Sequence, residues 1–425
     1  MENEKDPNIK PPVAFAYPFI GVEEEEAVLR VLRSGWLTTG KETLLFEKEF
    51  AEFFGEKNIL TALAVNSATS GLHLALEACG TVAGDTGTRG IGAGDIVLLP
   101  SYTFTATAEV VRYLQAEVVF VDVKAGTFHI DTEALEETLE RLSKGKQAYE
   151  FKRGAWGPIG KVKAIIPVHY GGLLCDMKEI MRIAEKYKVC VIEDAAHSFP
   201  AQTTDGAWAG TIGDAGVFSF YATKTITTGE GGMIVSRNSA VIDRMRVMRS
   251  HGIDRTIWNR YTDNKASWHY EVVEAGYKYN IPDILSAIGR VQLTRANTLL
   301  KMREELATLY DTAFKDDEHF SIPPTERGDA RHLYPLRLNL EKLSVTRNEF
   351  IEKIKNENIG VSVHFIPLHT MPYYKKQYKL QDDDFPETIN SFNREISLPL
   401  WPGMGKSQIE RVATVIKKTA KENSK

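Results

Sequence analysis

The chain has 425 residues, enough for a large domain plus a smaller one. Hydrophobic residues are 43% and charged residues 26%, with a formal net charge of -5 spread along the chain, a soluble globular balance without the basic stripe that nucleic-acid binding needs. No apolar run is long enough to span a membrane, MENEKDPNIKPPVAF lacks the apolar core of a signal peptide, and Cys79, Cys175 and Cys190 lack metal-type spacing. The expectation is a cytoplasmic, reduced protein that binds no nucleic acid, membrane or metal.

In chain order, residues 1–40 read as an arm followed by a helix over 23–33. From 41 to 290 a large domain is expected. Within it, seven apolar runs alternate with amphipathic stretches: ILTALAV at 59–65, DIVLLP at 95–100, VVFVDV at 118–123, KAIIPVHY at 163–170, VCVIED at 189–194, GVFSF at 216–220 and GGMIVS at 231–236. Runs that are apolar throughout, separated by helices at 72–78, 106–115, 132–142 and 177–187, predict an α/β fold with a mostly parallel sheet covered on both faces. The short connection between Phe220 and Met233 makes one strand antiparallel. TVAGDTGTRGIGAG at 81–94 and SKGKQAYEFKRGAWGPIG at 143–160 read as surface loops. A long helix is expected over 283–314. A smaller α+β domain, 291–425, follows with strands at YPLRLNL (334–340), VSVHFIP (361–367) and REISLPL (394–400) and helices at 346–356 and 406–419.

Two glycine motifs are set aside. GMGKS at 403–407 has Leu400 where a P-loop needs its first glycine, and GIGAG at 90–94 precedes a strand rather than a helix. His364 and His369 have no acidic residue at a zinc-binding interval, so polar pocket contacts are expected of them.

Four segments end strands or begin helices, where ligands of α/β sheets collect. NSATSGLHLAL (66–76) offers free helix-start amides and the hydroxyls of Ser67 and Thr69 to a phosphate; the plainer alternative is a helix cap by Asn66 or Ser67. PSYTFTATA (100–108) puts Tyr102 and Phe104 at a strand end, where either can stack on a heteroaromatic ring or pack in the core. VIEDAAHS (191–198) carries Glu193 and Asp194, and burying a carboxylate there demands a cation or donors; alternation does not decide which acid points inward. His197 follows three residues later. GDAGVFSFYATKTITTGEGG (213–232) supplies the Ser219 hydroxyl and encloses Lys224 among Ala222, Thr223, Thr225 and Thr227, an environment that lowers an amine's pKa and favours attack on an aldehyde.

In this order, with about thirty residues between Asp194 and Lys224, the segments resemble the DegT/StrS-type nucleotide-sugar aminotransferases. These are fold-type-I pyridoxal-phosphate enzymes. The likeness runs from GVEEEEAVLRVLRSGWLTTG to REISLPLWPGM, nearly the whole chain. It implies Lys224 as the Schiff-base lysine, Asp194 beside the pyridine nitrogen, Phe104 stacked on the ring and His197 beside the cofactor. Ala68, Thr69 and Ser219 match the family's phosphate contacts. The family completes that site from a second subunit, so a homodimer with shared sites is implied, GYKYN (276–280) contributing Lys278 or Asn280. Trp36, Thr38 and His364 are expected to touch substrate. GYKYN and WHYEVVEAG (268–276) look most like the branch acting on UDP-linked 4-keto sugars, including the 4-amino-arabinose enzymes. The implied reaction moves an amino group from an amino acid, expected to be glutamate, to the C4 ketone of a nucleotide sugar for polysaccharide or lipopolysaccharide synthesis. Competing readings are a pyridoxal-phosphate sugar dehydratase or lyase on the same fold and a cofactor-binding regulator without turnover. Relatives that remove a hydroxyl carry histidine in place of the lysine, and no basic DNA-binding module flanks this core.

Overall fold

The computed structural model describes residues 11–55, 59–79, 90–151, 154–254, 270–326 and 328–425. Most of the 81–94 loop, the first ten residues of the arm and Trp268 of WHYEVVEAG lie outside the described residues.

The large sheet holds β1 (Thr61–Val65), β2 (Asp95–Pro100), β3 (Glu117–Val121), β6 (Lys161–Ile165), β7 (Cys190–Asp194), β8 (Ala215–Ser219) and β9 (Gly232–Ser236), in the order β1-β9-β8-β7-β6-β2-β3. Five neighbouring strands, β3 through β8 in that order, pair in parallel. Only β9 is reversed, pairing antiparallel with both β1 and β8. The mostly parallel seven-stranded sheet is therefore present, with its antiparallel strand where the short connection predicted it. Both faces are covered. One core gathers aliphatic residues such as Leu72, Leu98, Val119, Ile165 and Ile180. The other is aromatic, with Phe50 set 4.9 Å from Phe199 and 5.2 Å from Phe218 between ring centroids. Each fully buried phenylalanine stabilises the fold by about 1.5–3 kcal/mol, which fixes the sheet as a rigid base for its strand ends.

Away from the large sheet, a separate core, the second core, surrounds Leu306, Tyr310, Tyr334, Leu336, Phe350, Ile396 and Val412. It is built on the sheet β10 (Phe320–Ser321), β11 (Tyr334–Leu338) and β12 (Glu395–Leu398), with helices Arg347–Lys355 and Lys406–Glu422 packed around it.

Three expectations differ from the structure. The 143–160 segment is not all loop: it carries a hairpin of β4 (Tyr149–Phe151) and β5 (Gly154–Trp156). Tyr149 and Phe151 lie on one face of a strand, stack at 4.9 Å and pack on Phe385, and the Phe120 amide donates to the Tyr149 hydroxyl at 2.8 Å. The surrounding lysines and glycines hid that two-residue period. The long helix is two, Asp283–Thr294 and Ala296–Phe314, because Arg295 (φ -103, ψ 1) leaves helical geometry and its side chain reaches buried Glu24. VSVHFIP forms one bridge, Ser362 to Ser397, rather than a strand. Beyond it His364 and Phe365 turn toward a pocket instead of continuing a ladder.

Candidate active site

The strand register brings the singled-out residues to one edge. Gly232 pairs with both Val65 and Ser219, and Asp194 pairs with Val217 two residues before Ser219. The C-terminal ends of β1, β2, β7 and β8 and the start of β9 thus meet. They frame a pocket of about 470 Å³. Its base is made by Ala68, Thr69, Phe104, Asp194, His197, Ser219 and Lys224.

Helix Ala68–Glu77 points its N-terminus into this pocket. Ser67 caps it, accepting from the Ser70 amide at 3.1 Å, so the plainer cap reading holds for Ser67. The Ala68 and Thr69 amides still have no intrahelical acceptor and remain available to an anion. The helix sits unusually low. A Cβ on Gly71 would lie 2.7 Å from Val217 Cγ1, and one on Gly232 would lie 2.7 Å from the Ala68 nitrogen. Glycine at these two positions lets the helix start approach the strand ends, and this forms an anion cradle beside Ser219.

The adjacent acids part company. Glu193 is fully buried away from the pocket and accepts from His169 Nε2 at 2.9 Å and from the Gly210, Ile212 and Gly213 amides at 2.6–2.8 Å. Asp194 lines the pocket, accepting from Thr107 Oγ1 at 2.8 Å and the Ala196 amide at 3.2 Å. Burial raises its pKa, opposed by the Thr107 and Ala196 bonds and by the charge of Lys224. A buried carboxylate with so few donors is prepared for a cationic partner. The aromatics divide likewise: Tyr102 is buried beside Phe128 and Tyr170, whereas Phe104 is open to the pocket, 5.7 Å from Phe365 between centroids.

Burial pushes the Lys224 amine down to about 8; Asp194 opposes this and the Arg303 guanidinium adds to it. Arg303 is itself buried and donates to the carbonyls of Leu400 at 2.9 Å and His332 at 3.1 Å, with a longer contact to the Thr223 carbonyl at 3.5 Å. It holds the lysine loop against the second core. His197, His332 and His364 face the same space, and burial followed by neighbouring charge lowers all three, His364 to about 4. They are neutral at physiological pH. The Gly171 amide donates to His197 Nδ1 at 3.3 Å, which leaves Nε2–H as the donor on that ring.

His332 and Arg303 escaped the sequence reading, and so did Thr107. His332 and Arg303 sit in no motif recognisable from their neighbours, while Thr107 lies within PSYTFTATA, where only the aromatics stand out. His369, expected in a pocket, is instead fully buried against Ser101 Oγ at 2.5 Å, because the turn Leu368–Thr370 carries it behind the wall. Trp36, Thr38, Lys278 and Asn280 do not line the pocket of their own chain. They share a patch beside it, where Asn280 Nδ2 donates to Thr39 Oγ1 at 2.7 Å, Trp36 Nε1 donates to the Thr39 carbonyl at 3.3 Å and Lys278 is exposed.

An amine and a carboxylate sharing a pocket with an anion cradle and an exposed ring-stacking side chain fit pyridoxal phosphate, whose aldehyde, pyridine nitrogen, phosphate and ring each find a matching group. Comparison with known proteins agrees. The structure superposes on PseC of Helicobacter pylori, an aminotransferase involved in the biosynthesis of pseudoaminic acid, with a TM-score of 0.82 at 28% identity over 97% of this chain and 100% of that one. It matches Spr1654 from Streptococcus pneumoniae in its pyridoxal-phosphate form equally well, with a TM-score of 0.82 at 27% identity over 97% and 99% of the two chains. The fold is that of a fold-type-I pyridoxal-phosphate aminotransferase. Residues 18–417 match the DegT/DnrJ/EryC1/StrS aminotransferase family, and the chain belongs to it. It is also 40% identical over 411 residues to the spore coat polysaccharide biosynthesis protein SpsC of Bacillus subtilis, covering 96% of this chain and 97% of that one.

Proposed function

We propose that this chain transfers the amino group of glutamate to the C4 ketone of a UDP-linked sugar, using Lys224 as the cofactor-holding lysine. The convergence of Lys224 and Asp194 on one pocket carries the reading, since family membership alone does not assign residues. The role of SpsC in spore coat polysaccharide biosynthesis and of PseC in pseudoaminic acid biosynthesis supports a sugar acceptor, and GYKYN supports the UDP-4-keto branch.

When bound, pyridoxal phosphate supplies an electron sink and a carbon that carries the amino group between substrates. Asp194 would keep the pyridine nitrogen protonated, and a carboxylate in this buried setting would serve that role better than water. Phe104 would cover one ring face, and His197 Nε2–H would donate toward the phenolic oxygen. The Ala68 and Thr69 amides and Ser219 Oγ would hold the phosphate. Lys224 Nζ, as a neutral amine, would take the substrate Cα proton as general base and, once protonated, give it back as general acid. Lys278 is exposed and cationic, whereas Asn280 is half-buried with one amide N–H on Thr39, so Lys278 of the partner subunit would be the better fourth phosphate donor. Trp36 and Thr38 of the same patch would reach substrate across a homodimer interface.

The test is a half-reaction screen. Enzyme loaded as the pyridoxamine form is mixed with individual nucleotide keto sugars, and the return of the pyridoxal spectrum identifies the acceptor. A UDP-4-keto sugar should restore it fastest. Restoration only by other nucleotides or by 3-keto isomers would refute the acceptor assignment.

A further inference from the structure

The pocket wall contributed by the second core contains a hydrogen-bonded chain that the reaction above does not use. Glu395 and Ser397 are two residues apart on β12, so they share a face, and both are completely buried. The Ser362–Ser397 bridge holds the segment carrying His364 against them. The His364 amide donates to Glu395 Oε2 at 3.1 Å, Ser397 Oγ contacts Glu395 Oε1, and His364 Nδ1 lies 2.8 Å from Ser397 Oγ. The imidazole stacks on Phe15 at 5.5 Å and lines the pocket. We propose that Glu395 and Ser397 are positioning residues that decide which nitrogen of His364 carries the ring proton, and thereby whether His364 offers the pocket a hydrogen-bond donor or an acceptor.

The donors and acceptors leave little freedom. A carboxylate only accepts, so with Glu395 ionised the Ser397 hydroxyl must donate to Oε1 and its oxygen then accepts Nδ1–H. Nε2 is left as an acceptor. Protonated Glu395 must carry its proton on Oε1, because Oε2 accepts the His364 amide. Oε1–H then donates to Ser397, the serine proton turns to Nδ1, and Nε2–H becomes a donor. The net change is one proton exchanged with solvent at Glu395, while the imidazole keeps one proton and changes the nitrogen that holds it.

The groups facing Glu395 are Arg347, Tyr102, Tyr170, Ser397 and His364. Arg347 donates to the Glu395 backbone carbonyl at 2.9 Å, and the Tyr170 hydroxyl donates to the His364 carbonyl. Burial dominates and raises Glu395 to about 8, against the Ser397 and His364 bonds and the Arg347 charge. His364 itself stays neutral, held at about 4 by burial and by Lys224. Below the crossover Nε2–H can hold a carbonyl or a hydroxyl oxygen of the substrate; above it, Nε2 can hold only a donor such as a hydroxyl. This rests on the pocket being the substrate site.

The test is nitrogen NMR of cofactor-loaded enzyme labelled with 15N-histidine, with His364 assigned by its loss in His364→Gln. In the wild type the ring proton should move from Nε2 to Nδ1 as pH rises through about 8. Glu395→Gln, whose amide can only donate to Ser397 while its oxygen accepts from His364, should hold Nε2–H at every pH. Ser397→Ala should abolish the crossover and Ser397→Thr should restore it. A wild-type tautomer unchanged through that range, or a crossover that survives Glu395→Gln, overturns the relay. The measurement needs no turnover, so it decides the relay even if the proposed transfer fails in the half-reaction screen.

Discussion

The two walls of the pocket are built by different rules. The wall from the large sheet presents Asp194, Ser219 and Lys224 at the ends of parallel strands, each within a contiguous motif. The wall from the second core presents His332, His364 and Leu398, drawn from three separate segments, of which Leu398 alone sits on a regular strand, β12. The first wall prepares charges for a fixed partner. The second offers neutral histidines: His364 Nδ1 is held by Ser397 Oγ, while His332 Nδ1 is buried without a hydrogen-bond partner. This difference teaches that charged groups concentrate where strand topology fixes them, while the opposite face of the pocket is assembled from distant pieces.

The largest effect should come from the first wall. Lys224→Ala should reduce amino transfer to background while far-UV circular dichroism stays unchanged, since the lysine lines a cavity and supports no core. Asp194→Asn should slow the transfer on the order of a thousandfold or more, because an amide stabilises a protonated pyridine poorly. Its neighbour sharpens the contrast. Glu193→Gln, whose carboxylate accepts four bonds away from the pocket, should cost about 2–3 kcal/mol of stability in denaturant titration and leave the chemical step nearly intact. A crippled Glu193→Gln beside a nearly normal Asp194→Asn would reverse the two roles.

The proposed contribution of a second subunit to the site is the next test. Mixing inactive Lys224→Ala with an impaired Lys278→Ala should recover part of the activity, since some heterodimers then hold one site free of both lesions. Tagged heterodimers with no recovery would show that each chain builds its own phosphate site.

The smallest effect concerns pH. With its pKa lowered, Lys224 is neutral above about 8 and protonated below it. The rate at which cofactor-free enzyme captures pyridoxal phosphate should therefore rise with pH through about 8. Arg303→Met removes a nearby positive charge, so it should raise the Lys224 pKa and move that rise to higher pH, by less than about one unit. A shift to lower pH would show that Arg303 acts on the lysine by packing rather than charge.

Much of this was legible in the sequence, for reasons that differ by element. Strands buried on both faces read as unbroken apolar runs, and the sheet with its single reversed strand followed from them. The choice between Glu193 and Asp194 was not legible from alternation, because both faces of a parallel strand are covered; the family resemblance favoured Asp194, and the geometry separates the two acids. The β4–β5 hairpin was missed because Tyr149 and Phe151 stand among turn-forming and charged residues. His332 and Arg303 were missed because their significance lies in what they meet, 80 and more residues away in the case of Arg303 and Thr223.

The identity of the cofactor-holding amine is tested most directly by borohydride reduction of the pyridoxal-phosphate-loaded enzyme followed by proteolysis and mass spectrometry. A single modified peptide containing Lys224 is expected, lost in Lys224→Ala. Modification of any other lysine in its place, Lys278 included, would contradict it.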